Sequence, residues 1–72
     1  MYIIGLVEDE VDLLKLIKNY LEKANYQVVT FTNGNDAINY IGNKIDLWIL
    51  DIMLGDDVNG YDIIKAIRKD NN

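Results

Sequence analysis

Two apolar runs, each halted by a carboxylate, constrain this chain most. The first is Ile3-Ile4-Gly5-Leu6-Val7, followed directly by Glu8-Asp9-Glu10; the second is Leu47-Trp48-Ile49-Leu50, followed by Asp51. A run without polar alternation predicts a parallel strand covered on both faces. Its polar end then emerges beyond the carboxyl ends of the strands, where open α/β sheets hold their sites. Neighbouring strands lie about 4.8 Å apart, so if these two pair, three carboxylates crowd together. Like charges that close repel unless a cation sits among them. The pattern therefore predicts a divalent metal beside a reactive aspartate.

Between and after the two runs the pattern alternates strand and helix. Residues 2–7 read as the first strand, and residues 12–24 as a helix with Leu14, Ile17, Leu21 and Ala24 at the spacing of one face. Asn25 suits a left-handed helix end. Residues 27–31 are β-branched and aromatic, which favours a second strand. Thr32-Asn33-Gly34-Asn35 is a turn and capping cluster. A short helix follows with Ala37, Ile38 and Ile41 inward, closed by Gly42 or Asn43. Residues 46–51 read as the third strand, 52–59 as a polar loop, and a third helix runs from Gly60 to about Lys69, burying Ile63, Ile64 and Ile67. Alternation of this kind implies a parallel sheet with right-handed crossovers. Sharing one ion between Asp9 and Asp51 requires strand order 2-1-3, with a topological switch between the first and third strands.

Composition narrows the chemistry. A length of 72 residues allows one small domain. Half the residues are hydrophobic, enough to exclude disorder, yet no apolar stretch reaches the roughly 18 residues of a membrane span. No secretion leader is evident, and the cytosol is the default compartment. Cysteine and histidine are both absent, which excludes thiolate and imidazole metal sites and the commonest general base. A net charge of -5 argues against nucleic-acid binding by this segment, because phosphate contacts need clustered Lys and Arg.

The residues Ile4-Gly5-Leu6-Val7-Glu8-Asp9-Glu10, Asp46-Leu47-Trp48-Ile49-Leu50-Asp51-Ile52-Met53-Leu54 and Asn59-Gly60-Tyr61 resemble the receiver domain of two-component response regulators. That resemblance implies a flavodoxin-like α/β fold of β-α-β-α-β-α pattern over residues 1–72, the N-terminal portion of the family's domain. It implies Mg²⁺ held by Asp9, with Glu8 assisting and the backbone carbonyl of Met53 completing the site. Asp51 becomes the acceptor of a phosphoryl group from a sensor histidine kinase, and Gly60 matches a loop glycine before the third helix. The module is then a signalling domain rather than an enzyme, and transcriptional control enters by analogy only.

The chain departs from the family pattern at Gly55, where proline is usual, and in a loop one residue longer that carries Asp56-Asp57. The 72 residues also stop after the third helix. The family's fourth-strand Ser/Thr and fifth-strand Lys have no positions among them, so phosphorylation of this stretch alone is expected to be slow. Blander readings stand beside the sharp ones. Glu10 and Asp12 serve the dipole of the first helix, Asp56, Asp57 and Asp62 are surface charges, Trp48 is packed on a strand face, and the tyrosines lie in the core or at its rim. The alternative function is a structural fragment that self-associates as a homodimer through the exposed edge of strand three. A metal-dependent hydrolase of the aspartyl-phosphate type fits poorly, because Met53 stands where such enzymes carry a second aspartate. No G-x-G-x-x-G or G-K-[ST] phosphate loop is present.

Overall fold

The computed structural model describes residues 2–51 and 60–71. Three strands, β1 (Ile3–Val7), β2 (Gln27–Phe31) and β3 (Leu47–Leu50), alternate with helices α1 (Val11–Lys23), α2 (Gly34–Tyr40) and α3 (Gly60–Asn71). All pairings are parallel and the sheet order is β2-β1-β3. This is the flavodoxin-like arrangement, with the switch between β1 and β3 that the acidic tips require.

Side-chain parity along β1 divides the interior into two layers. Val7 points to the face that carries α2 and α3, where it packs with Phe31, Ala37 and Ile63. Val29, Ile38, Tyr40, Trp48, Leu50 and Ile67 close around that cluster. Fully burying a side chain such as Ile63, which has no exposed surface, is worth about 1.5–3 kcal/mol. Phe31 stacks at tilted angles against Tyr40 (5.3 Å between centroids) and Trp48 (5.7 Å). Ile4 and Leu6 point to the other face, where Leu14 of α1 is also buried.

Local chemistry explains the helix ends. Asn33 caps α2: its Oδ1 accepts the Asp36 N–H at 2.8 Å, and its Nδ2 donates to Asp36 Oδ2 at 2.9 Å. Such a cap is worth about 1 kcal/mol. Asn25 adopts φ 71°, the left-handed turn expected of it, and Gly42 takes φ 106° after α2. Helix α1 ends at Lys23, so Ala24 serves as its C-cap and is exposed rather than inward. Leu16 and Tyr20 are exposed on that helix, and of the tyrosines only Tyr40 packs against the core; Tyr2, Tyr20, Tyr26 and Tyr61 are exposed.

One close approach fixes how β1 meets β3. Gly5 pairs with Trp48, and the indole lies directly over the glycine. A Cβ at position 5 would sit 2.7 Å from Trp48 Cε3 and 2.8 Å from Cζ3, closer than carbon atoms tolerate. Gly5→Ala is therefore expected to destabilise the chain by about 1–3 kcal/mol, the usual range for overpacking. In urea unfolding followed by circular dichroism, Trp48→Leu should cost less in the Gly5→Ala background than in the wild type. Equal costs in both backgrounds would show that the ring is not what excludes a side chain at position 5.

Candidate metal centre

Backbone ladders carry the acidic residues to one place. The Glu8 N–H donates to Phe31 O at 3.0 Å, prolonging the β1–β2 ladder by one step. The Asp51 N–H donates to Val7 O at 3.1 Å, doing the same between β3 and β1. Both tips thus leave the sheet at the same end, beyond the carboxyl ends of β1 and β3. Carboxylate oxygens of Glu8, Asp9 and Asp51 all lie within 4.8 Å of one another. Asp9 is exposed, while Glu8 and Asp51 are partly buried.

Other acids named from the sequence lie elsewhere. Glu10 is the N-cap residue of α1, but its side chain makes no capping bond; its carbonyl accepts the Leu14 N–H at 2.9 Å. Asp12 and Asp62 sit in the first turns of α1 and α3, where negative charge suits the helix dipole. Gly60 begins α3 and is buried. Met53, Gly55, Asp56 and Asp57 lie outside the described residues.

Two contacts escaped the sequence reading. Glu8 Oε2 accepts the Glu10 N–H at 3.1 Å, folding its carboxylate back over the start of α1. Asp46, read only as the first residue of a strand, accepts the Ile3 N–H through Oδ2 at 2.7 Å, while its own N–H donates to Ile3 O at 2.7 Å. That double clasp ties the entry of β3 to the entry of β1. An acid directly before an apolar run is the signal for such a clasp, but it does not name the partner.

The electrostatics follow from the geometry. The Glu10 N–H favours the ionised form of Glu8, yet burial, the Asp9 carboxyl and the Asp51 charge outweigh it and push the Glu8 carboxyl above its ordinary value. The donor set is three hard oxygen ligands with no nitrogen or sulfur, which fits Mg²⁺ and not a soft transition metal. A divalent ion among them would relieve the repulsion that raises Glu8.

The family model for the response regulator receiver domain matches residues 4–72. The chain belongs to that family. Response regulator SaeR of Staphylococcus aureus is 42% identical over 64 residues, a stretch that is 89% of this chain and 28% of SaeR. Among solved structures, response regulator TrrA of Thermotoga maritima, crystallised in complex with Mg²⁺ and BeF, superposes with TM-score 0.88 at 33% identity. That match covers 96% of this chain and 60% of TrrA. The non-phosphorylated HemR receiver domain of Leptospira biflexa superposes with TM-score 0.89 at 37% identity, covering 97% of this chain and 56% of that one. The receiver chain thus spans under a third of its curated relative SaeR. Among the described residues, no helix is long and apolar enough to cross a membrane.

The raised Glu8 carboxyl has a consequence for stability. A group whose pKa is higher in the folded than in the unfolded state favours folding while protonated, and that contribution is lost as pH rises through the folded value. Without metal, the receiver should lose stability as pH climbs from the ordinary carboxylate range through the raised Glu8 value. Glu8→Gln should remove this loss, so its thermal midpoint at neutral pH should exceed that of the metal-free wild type. A wild-type midpoint that rises with pH across that window, relative to Glu8→Gln, would contradict the crowding.

Proposed function

We propose that Asp51 accepts a phosphoryl group from a sensor histidine kinase, with Mg²⁺ held by Glu8, Asp9, Asp51 and the backbone carbonyl of Met53. The supporting observation is the meeting of three carboxylates, from two strand tips, within 4.8 Å. The Mg²⁺–BeF complex of TrrA lends the same chemistry a precedent in a relative.

In this reading an Asp51 carboxylate oxygen attacks the phosphorus of the kinase's phosphohistidine. The phosphorus–nitrogen bond breaks, the imidazole leaves, and an acyl phosphate remains on Asp51. Such transfers need positioning and charge stabilisation more than covalent assistance. The bond from the Asp51 N–H to Val7 O holds the nucleophile's backbone against β1. Asp9, the most exposed of the three acids, is the principal ligand, and Glu8 assists from beneath the start of α1. When bound, Mg²⁺ supplies the positive charge that lets a carboxylate and a phosphoryl group approach.

The module is read as one partial receiver domain over residues 1–72, working in the cytoplasm beside its kinase, without direct nucleic-acid contact by this segment. Phosphatase action on its own acyl phosphate is expected to be weak within these residues. The alternative, a structural piece that pairs with its own copy along β3, draws on Leu47, which is 46% exposed at that edge. Sedimentation at micromolar concentration as a clean monomer would remove it.

Mg²⁺ titration followed by Trp48 fluorescence tests the main reading. Saturable quenching or enhancement is expected, with affinity reduced about tenfold or more in Asp9→Asn and Asp51→Asn, since either removes a charged ligand. Affinity should also fall on acidification, as protons compete for the same oxygens. Acetyl phosphate should add one phosphoryl group to the wild type, slowly, and none to Asp51→Asn. A flat titration together with phosphorylation of Asp51→Asn would overturn the assignment.

A further inference from the structure

We infer that Asn33 is a modification site: its side-chain amide is lost spontaneously to attack by the Gly34 nitrogen, at a rate set by opening of α2. The inference is independent of phosphoryl transfer.

The sequence sets the reacting groups side by side. Asparagine amides are chemically labile. Gly34, lacking a Cβ, neither shields its own nitrogen nor resists the backbone rotation that ring closure requires. The Gly34 nitrogen gives its proton to solvent and bonds to Asn33 Cγ. The bond from Cγ to Nδ2 breaks, ammonia leaves, and a five-membered imide remains. Water then opens the imide at either carbonyl, giving an aspartate or an isoaspartate at position 33. One water is consumed and one ammonia released, with no oxidant or reductant.

The folded chain holds these groups out of reaction. Asn33 has φ -148° and ψ 162°, an extended backbone, whereas ring closure needs the chain turned so that the Gly34 nitrogen swings toward Cγ. The Asn33 amide is engaged at both ends: Oδ1 accepts the Asp36 N–H at 2.8 Å and Nδ2 donates to Asp36 Oδ2 at 2.9 Å. Gly34 is buried in the first turn of α2, away from solvent base.

That protection lasts only while α2 is formed. The helix has seven residues, buries Gly34 and Ala37 alone, and carries no basic residue in its last turn. A helix so short has little stability of its own, so it opens at lower cost than the central strand. One opening event both frees the Asn33 amide and exposes Gly34. The change is one-way. Either product lacks the Nδ2 donor to Asp36, and isoaspartate also adds a carbon to the main chain. The cap is then not rebuilt, and Ala37 loses the anchor that seats it against Val7 and Phe31.

The test incubates the 72-residue chain at mildly alkaline pH and follows position 33 by peptide mapping, which separates it from Asn59-Gly60, the chain's other Asn-Gly pair. Conversion should be at least about tenfold slower in the native chain than in urea-unfolded chain. Below the unfolding transition it should barely depend on urea, because opening α2 alone exposes little surface. Asn39→Ala, an exposed change that favours the helix, should slow native conversion about threefold and leave the unfolded rate unchanged. The purified isoaspartyl chain should exchange the amides of residues 37–40 about tenfold faster than unmodified chain. Asp51→Asn should convert as the wild type does, so failure of the phosphoacceptor reading leaves this result unmoved. Equal rates in folded and unfolded chain, a native rate that climbs with urea as steeply as global unfolding, or an Asn39→Ala chain that converts as fast as wild type would overturn the inference.

Discussion

The parallel pairing of β1 with β3 carries everything else in this receiver. It sets Val7 opposite Leu50, so the residues that follow each, Glu8 and Asp51, emerge side by side. A slip of one residue would move Asp51 about 3.3 Å along the strand and turn every β3 side chain to the other face. Packing forbids that slip. The Trp48 indole fits over Gly5 because no side chain stands there, whereas the neighbouring positions Ile4 and Leu6 carry buried ones. The Asp46–Ile3 clasp fixes the same register from the opposite end of the strand. A glycine in the middle of an apolar strand, unfavourable on propensity alone, is thus the residue that aligns the acids.

The acidic centre works against the fold that holds it. Three carboxylates gathered at one end of the sheet repel, and together with burial that crowding raises the Glu8 carboxyl. Ladder bonds from the Glu8 and Asp51 N–H groups keep the backbone from spreading, so the repulsion is borne by the side chains. A site built this way is already arranged for a small hard cation, because the cost of assembling the ligands is met by the sheet during folding.

Much of this was legible in the sequence. Unbroken apolar runs gave strands β1 and β3, although only β1 is covered on both faces and β3 stays partly open; their terminal acids gave the sheet order, and the Asn33 cap and Asn25 turn followed from residue type. What stayed hidden depends on partners distant in the chain. Nothing near Gly5 announces that an indole 43 positions away will cover it. Asp46 could be read as a polar strand end, but its bond to the Ile3 N–H exists only after β3 has docked. Ala24 matched the helix period yet fell beyond the last turn, since periodicity does not see where a cap forms. Tyrosine placement failed for a related reason: an amphipathic ring is stable at a rim or in water, so its type does not fix its depth.

The two faces of the sheet are unequally closed, and both openings fall at the same strand. On the α2–α3 side the cluster is sealed around Val7 and Phe31 but ends at Trp48 and Leu50, which remain partly open. On the α1 side Ile4 and Leu6 are covered while Leu47 is not. Strand β3 therefore has the fewest buried contacts of the three, and local stability follows buried contact. Its tip carries Asp51. The backbone bond from the Asp51 N–H to Val7 O is what ties that carboxylate back to the better-buried β1. Burial and ligand geometry are consequently one mechanical problem: the acid farthest from the sealed core is positioned by the least buried strand.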